Sequence, residues 1–225
     1  MKRFGIFAVA ALVFGFVGVT PSHANPINLV TNGDFATTPS LAPGSWGLFN
    51  NGSVSGWTGS LGSIEIDTAG AIGPGTDPFS ANSLEVNSTA PETVTQTIGG
   101  LTAGDTYEVV WQYGGRPGSG GTESMIVDLN GSTIATDSSN SVAVLTWTGN
   151  SYSFVANGTS VTLDFIGQTP GAGGSPSYGN EVTDVGLYVT PEPSTWLLML
   201  SGLGFLGFAM WRKRSVLVSL PSATI

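Results

Sequence analysis

The amino-acid sequence predicts an all-β sandwich, and three observations carry that reading. Short β-rich runs alternate apolar and polar residues at a period of two, Gly-, Ser- and Asn-rich turns separate them, and no long stretch between the two ends shows helical spacing. About ten such runs fall between Asn25 and Thr190, which suits one compact two-sheet domain.

The first candidate strands are "NLVTN", starting at Asn28, then "GSIEID", "SLEVN" and "TVTQTI". "TYEVVWQY" follows, with Tyr107, Val109, Trp111 and Tyr113 on one face and Glu108, Val110 and Gln112 on the other. "ESMIVDL" groups Met125, Val127 and Leu129, and "VTLDF" groups Val161, Leu163 and Phe165. "STIATD" and "YSFVA" lie between these two, and "DVGLYV" closes the set. Asn130-Gly131 joins "IVDL" to "STIAT"; both residues tolerate positive φ, which predicts a two-residue hairpin, and Asn157-Gly158 marks a longer one.

Two segments are too long and glycine-rich for tight turns, "GGRPGSGG" from Gly114 and "QTPGAGGSPSYGN" from Gln168. They read as surface loops, either binding loops or plain connections. Trp57, after a glycine, and Trp111, on the apolar face of its strand, read as core. Trp46, inside "PGSWG", and Tyr178, inside the second long loop, are placed for exposure and are the candidates for stacking on a ligand.

Both ends differ in texture from the middle. Residues 1–24 run from Lys2 and Arg3 through an apolar stretch to Ser22 and Ala24, the order of a secretory signal peptide cleaved after Ala24. Near the other end, Trp196 to Trp211 is apolar apart from Ser201 and the small glycines, and Arg212, Lys213 and Arg214 follow. At about 1.5 Å per residue this helix reaches about 25 Å, just short of a hydrocarbon core. Residues 195–211 are therefore expected to span the inner membrane, with the basic cluster and the tail 215–225 in the cytoplasm and the domain 25–189 outside.

Of the 15 acidic residues all but Glu192 lie between Asn25 and Thr190, where Arg116 is the only base. Such a domain repels phosphate backbones, so nucleic acid is excluded as a partner. Cysteine is absent and the single histidine, His23, lies in the signal peptide. Without His, Cys or Lys the domain builds no Ser-His-Asp triad, Cys-His pair, Schiff base or ordinary zinc site. What remains for catalysis is a carboxylate pair, and Glu65 and Asp67 share one side of a strand at a spacing near that of a glycosidase pair. Acidic pairs on exposed strand faces are common, and no aromatic wall is legible around this one.

The ordered set "NLVTNGDFATT", "VSGW", "GSIEI", "TVTQTIGGLTAGDTYEV", "WTGNSYSFVANGTSVTLDF" and "NEVTDVGLYV" resembles the choice-of-anchor C family of secreted bacterial proteins. That family in turn is similar to plant cell-wall proteins and carbohydrate-binding modules built on a galactose-binding-like jelly roll. The resemblance implies a jelly-roll β-sandwich that associates with extracellular polysaccharide. It also implies a structural calcium ion held by an acid near the first strand and an Asp on the last; the matching residues are Asp34 and Asp184. The family opening N-G-[DS]-F-E is departed from here, since Asn32, Gly33, Asp34 and Phe35 are followed by Ala36. For Asp34 the alternative is an Asx-type turn, and for Asp184 an exposed strand position.

Pro191-Glu192-Pro193, the glycine-containing apolar helix and Arg212-Lys213-Arg214 together resemble the PEP-CTERM sorting signal over residues 190–214. This implies recognition by an exosortase-type processing enzyme and a precursor tethered to the inner membrane only until it is transferred to the cell surface or extracellular matrix. The prolines keep the segment extended and accessible, whereas "SVLVSLPSATI" after the basic cluster departs from the usual ending. The expected protein is an exported, non-catalytic surface or matrix protein associated with exopolysaccharide. A structural or adhesive protein without a sugar site, and a carboxylate-dependent glycoside hydrolase, are the alternatives.

Overall fold

The computed structural model describes residues 27–72, 82–140, 142–190 and 201–208. The described strands are β1 (Trp46–Asn50), β2 (Thr58–Gly59), β3 (Ser63–Thr68), β4 (Asn82–Glu85), β5 (Thr93–Gly99), β6 (Thr106–Gly115), β7 (Glu123–Leu129), β8 (Ser132–Ser139), β9 (Trp147–Val155), β10 (Ser160–Gly167) and β11 (Asn180–Val189). They form two antiparallel sheets, ordered β1-β3-β4-β11-β6-β9 and β2-β5-β10-β7-β8.

The last eight strands pair in a nested series, β4 with β11, β5 with β10, β6 with β9 and β7 with β8. This is the winding of a jelly roll, a long hairpin folded over so that alternate pairs fall in opposite sheets. The innermost turn is Asn130-Gly131, with φ of 52° and 75°, as the hairpin chemistry requires. Asn130 also accepts a hydrogen bond from the Thr162 N–H at 2.9 Å, which ties the turn to β10.

The period-two alternation sends Ile64, Ile66, Leu84, Val109, Trp111 and Val182 inward from the six-stranded sheet. Val94, Val127, Leu163 and Phe165 meet them from the other sheet. Trp57 is buried between Phe35 and Phe165, ring centroids 5.4 and 5.9 Å away, and donates its indole N–H to the Asn32 carbonyl. Trp111 donates to Asp137 at 2.8 Å. Each buries a large apolar face and satisfies its one donor, as the core reading of both residues requires.

Two sequence expectations need correction. "NLVTN" is not a strand: the segment runs beside the second half of β11, linked by Leu29 N–H to the Leu187 carbonyl and by Val185 N–H to the Gly33 carbonyl. The Asn28 side chain accepts from Val30 and Leu187 N–H, and Asn32 turns the chain at φ 52°, so side-chain bonds replace a regular ladder. A Cβ at Gly33 would stand 2.0 Å from the Val185 carbonyl oxygen, which explains glycine in "NGDF". Conversely, Trp46 lies not in a loop but at the start of β1, an edge strand whose ladder exists only through its partner β3.

The expected signal peptide and the sorting residues Pro191, Glu192, Pro193, Arg212, Lys213 and Arg214 lie outside the described residues, as does most of the expected membrane helix. Residues 201–208 are helical and exposed. Among the described residues no helix is long and apolar enough to cross a membrane.

Candidate functional site

The outer face of the six-stranded sheet gathers the chemistry. In β3 the alternation that buries Ile64 and Ile66 turns Glu65 and Asp67 outward; in β4 Leu84 faces in and Ser83 and Glu85 face out; in β11 Val182 faces in and Glu181 faces out. Cross-strand register then sets Glu65 opposite Glu85 and Glu85 opposite Glu181, with Asp67 opposite Ser83. One row of three strands thus carries four carboxylates on one face.

None of the four is solvated. Asp67 is 1% exposed and Glu65 4%, while Glu85 and Glu181 are fully covered. This corrects the expectation that Glu65 and Asp67 form a pair on an exposed strand face. Arg116, at the exit of β6, ion-pairs with Glu85, and its guanidinium stacks on the Tyr178 ring at 4.4 Å. Ser83 donates to Glu181 at 2.9 Å. On the far side the Trp147 ring lies against Gly114, the register partner of Glu181.

The two glycine-rich loops hold Arg116 and Tyr178 in place because they pack backbone to backbone. Arg116 N–H reaches the Gly179 carbonyl at 3.2 Å, Ser175 N–H the Ser119 carbonyl at 3.3 Å, and Gly171 N–H the Thr122 carbonyl at 2.7 Å. A Cβ at Gly120 would lie 2.6 Å from the Gly173 carbonyl oxygen, so the two loops come this close only with glycine at Gly120.

One guanidinium cannot neutralise four buried carboxylates, and the protonation equilibria record the strain. Burial, then the neighbouring Asp67, pushes Glu65 up to about 7. Burial raises Asp67 to about 6 against the pull of Arg116, and raises Glu85 to about 9 against the same pull. Glu181 is driven well above the ordinary carboxylate range by burial, then by Asp67 and Glu85.

The predicted calcium pair lies on the same side of the domain, in a different place. Asp34 and Asp184 line one pocket of about 590 Å³, together with Asn28, Asn32, Gln112 and Tyr188. Asp184 sits at φ 49° in a β-bulge between Thr183 and Gly186, and Val185 beside it is in the core. Asp34 accepts from the Ala36 N–H at 3.2 Å, the Asx-type turn that was its alternative reading.

The stacking candidates flank the carboxylates. Trp46 is 55% exposed and stands in register with Asp67, and Tyr178 is 42% exposed above Arg116. The sequence shows no aromatic wall around Glu65 and Asp67; in the structure β1, from a segment that reads as loop, sets Trp46 in register with Asp67. Sequence reasoning missed Glu85, Glu181 and Arg116 as members of this site. Their signal was present, since Glu85 and Glu181 share the outward phase of their strands and Arg116 is the one base in an acidic domain.

Residues 189–214 match the PEP-CTERM protein-sorting motif, which indicates an exported protein processed by an exosortase. The match begins at the last residue of β11, so the sorting tail follows the domain directly. The chain is 26% identical over 195 residues to halomucin of Haloquadratum walsbyi; that covers 84% of this chain and only 2% of halomucin. Among solved structures it is similar to a family 35 carbohydrate-binding module from Clostridium thermocellum, at 10% identity and a TM-score of 0.42, over 65% of this chain and 99% of that one. It is also similar to the CBM22-1 xylan-binding domain of Paenibacillus barcinonensis Xyn10C, at 12% identity and a TM-score of 0.43, over 68% of this chain and all of that one.

Proposed function

We propose that this is a non-catalytic surface or matrix protein, delivered by its sorting tail, that binds extracellular polysaccharide on the outer face of the six-stranded sheet. The observation that carries the binding reading is the pair of exposed aromatics, Trp46 and Tyr178, set on either side of the row of carboxylates. A pyranose ring stacks on such exposed aromatic faces. Glu65 and Asp67 are too deeply covered to meet a glycosidic oxygen, which favours binding over hydrolysis.

In the same reading, Pro191-Glu192-Pro193 and Arg212 to Arg214 serve an exosortase-type enzyme. The helix over 195–211 holds the precursor in the inner membrane until transfer. Asp34 and Asp184 belong to a structural calcium site that braces the opening turn against the bulge of β11.

The test is pull-down with the host's own exopolysaccharide together with a glycan array. The expected result is binding that Trp46→Ala and Tyr178→Ala each weaken at least tenfold while the thermal melt is unchanged. Absence of binding to any glycan, with or without calcium, rejects the polysaccharide reading and leaves a structural or adhesive protein. Release of reducing sugar from a bound glycan rejects the non-catalytic reading.

A further inference from the structure

We infer that Glu65, Asp67 and Glu85 form a second binding site for a hard divalent cation, calcium by its chemistry, distinct from the Asp34 and Asp184 pocket. One oxygen from each of the three carboxylates lies within 4.8 Å of the others. Two ligands of one calcium ion stand at most about 5 Å apart, twice its bond length of about 2.3–2.6 Å, so a single ion can reach all three.

An acidic cluster alone proves nothing, because most are solvated. Here Asp67 is 1% exposed and neither of its carboxylate oxygens has a hydrogen-bond partner. The second oxygen of Glu85, the one not taken by Arg116, is likewise buried without a partner, as is one oxygen of Glu181 in the neighbouring register position. Four buried acceptor oxygens without a donor are a rare arrangement in a folded domain, where such atoms are nearly always satisfied. Three further features narrow the ligand. The lone guanidinium can offset only one of the four carboxylates, so a cation that displaces their protons meets an uncompensated formal charge of about −3; the donors are all oxygen, and no imidazole or thiolate exists in the domain to favour a softer metal. Deep burial selects calcium over magnesium, since magnesium dehydrates reluctantly and keeps several waters.

The test uses the full chain purified in detergent, stripped with EDTA and titrated with calcium chloride, read by calorimetry and thermal melts. Extracellular modules bind calcium at about 0.1–1 mM, so a hundredfold excess is within reach and is expected to raise Tm by about 5–10 °C. With the Asp34 pocket counted, the parent is expected to take up two calcium ions; Asp67→Asn is expected to remove one of these binding events and its share of the rise in Tm, and also to melt higher than the parent in EDTA, because it removes like charge from the cluster. Asp34→Asn is expected to leave the response of this site intact. Should Asp67→Asn fail to fold, Glu65→Gln takes its place with the same expectation. No saturable calcium binding to the parent chain overturns the inference and leaves protonation as the cluster's only relief. Binding that survives Asp67→Asn or Glu65→Gln and disappears in Asp34→Asn overturns it too, by assigning the ion to the other pocket.

Discussion

Along β3, β4 and the start of β11 the two faces of the six-stranded sheet are buried alike and are built from opposite chemistry. Inward, Ile64, Ile66, Leu84 and Val182 meet the second sheet; outward, one residue along the same strands, Glu65, Asp67, Glu85 and Glu181 are equally hidden from water. The inner face gains free energy by leaving water, about 25 cal/mol per Å² of apolar surface. The outer face loses it, because each buried carboxylate must find a counter-charge or a proton. Such a face costs stability, and it is on this side of the domain that we propose the functional site.

Four measurements test that contrast. The largest effect is expected on the inner side: Trp57→Ala removes the ring between Phe35 and Phe165 and is expected to lower unfolding free energy by about 3–5 kcal/mol in urea titrations. A loss below about 1 kcal/mol would mean that the inner face is not the stabilising one.

Next comes Arg116→Ala, which leaves the cluster without its cation. It is expected to cost about 1–3 kcal/mol near neutral pH and less at pH 5, where protons replace the guanidinium. An equal cost at both pH values would show that Arg116 acts by packing under Tyr178 and not by charge.

The third is the pH dependence of the parent chain in chelator. Glu65, Asp67 and Glu85 all have folded values raised to between about 6 and about 9, so between their ordinary values and these the unfolded chain has lost protons that the folded chain keeps. Stability must then fall as pH rises through that window and be greatest on its acid side, with a slope of about 1.4 kcal/mol per pH unit for each of these groups that is protonated only in the folded chain, steepest below about pH 6 and shallower above about pH 7, where Glu85 alone still differs. Urea midpoints that rise from pH 5 to pH 8 would contradict the buried cluster.

The smallest effect on folding belongs to Trp46→Ala, at an exposed edge. It is expected to change stability by less than about 0.5 kcal/mol while removing glycan binding. Loss of both together would make Trp46 a packing residue and sever it from the binding reading.

The alternation of single strands made much of the fold legible. It separated Tyr107, Val109, Trp111 and Tyr113 from Glu108, Val110 and Gln112, and it put Glu65 and Asp67 on one side. Local turn chemistry did the same for Asn130-Gly131. Segments whose backbone partners are distant were not legible. β1 alternates weakly and sits among Gly and Pro, so only pairing with β3 makes it a strand, while "NLVTN" has strand composition but spends its hydrogen bonds on the Asn28 side chain and the β11 bulge.

By itself the sequence determined the all-β class, the core aromatics Trp57 and Trp111, the acidic and histidine-free chemistry, and the sorting motif after the last strand, because each depends on residue type or short-range period. Only the tertiary structure decided that Glu65, Asp67, Glu85 and Glu181 share one buried site under Arg116, and that Trp46 stands beside it. The physical reason is register. Which residues of β3, β4 and β11 face one another is settled by long-range pairing across the nested jelly roll, and what an outward carboxylate meets depends on distant segments, as Arg116 and Tyr178 are brought to Glu85 from two other loops.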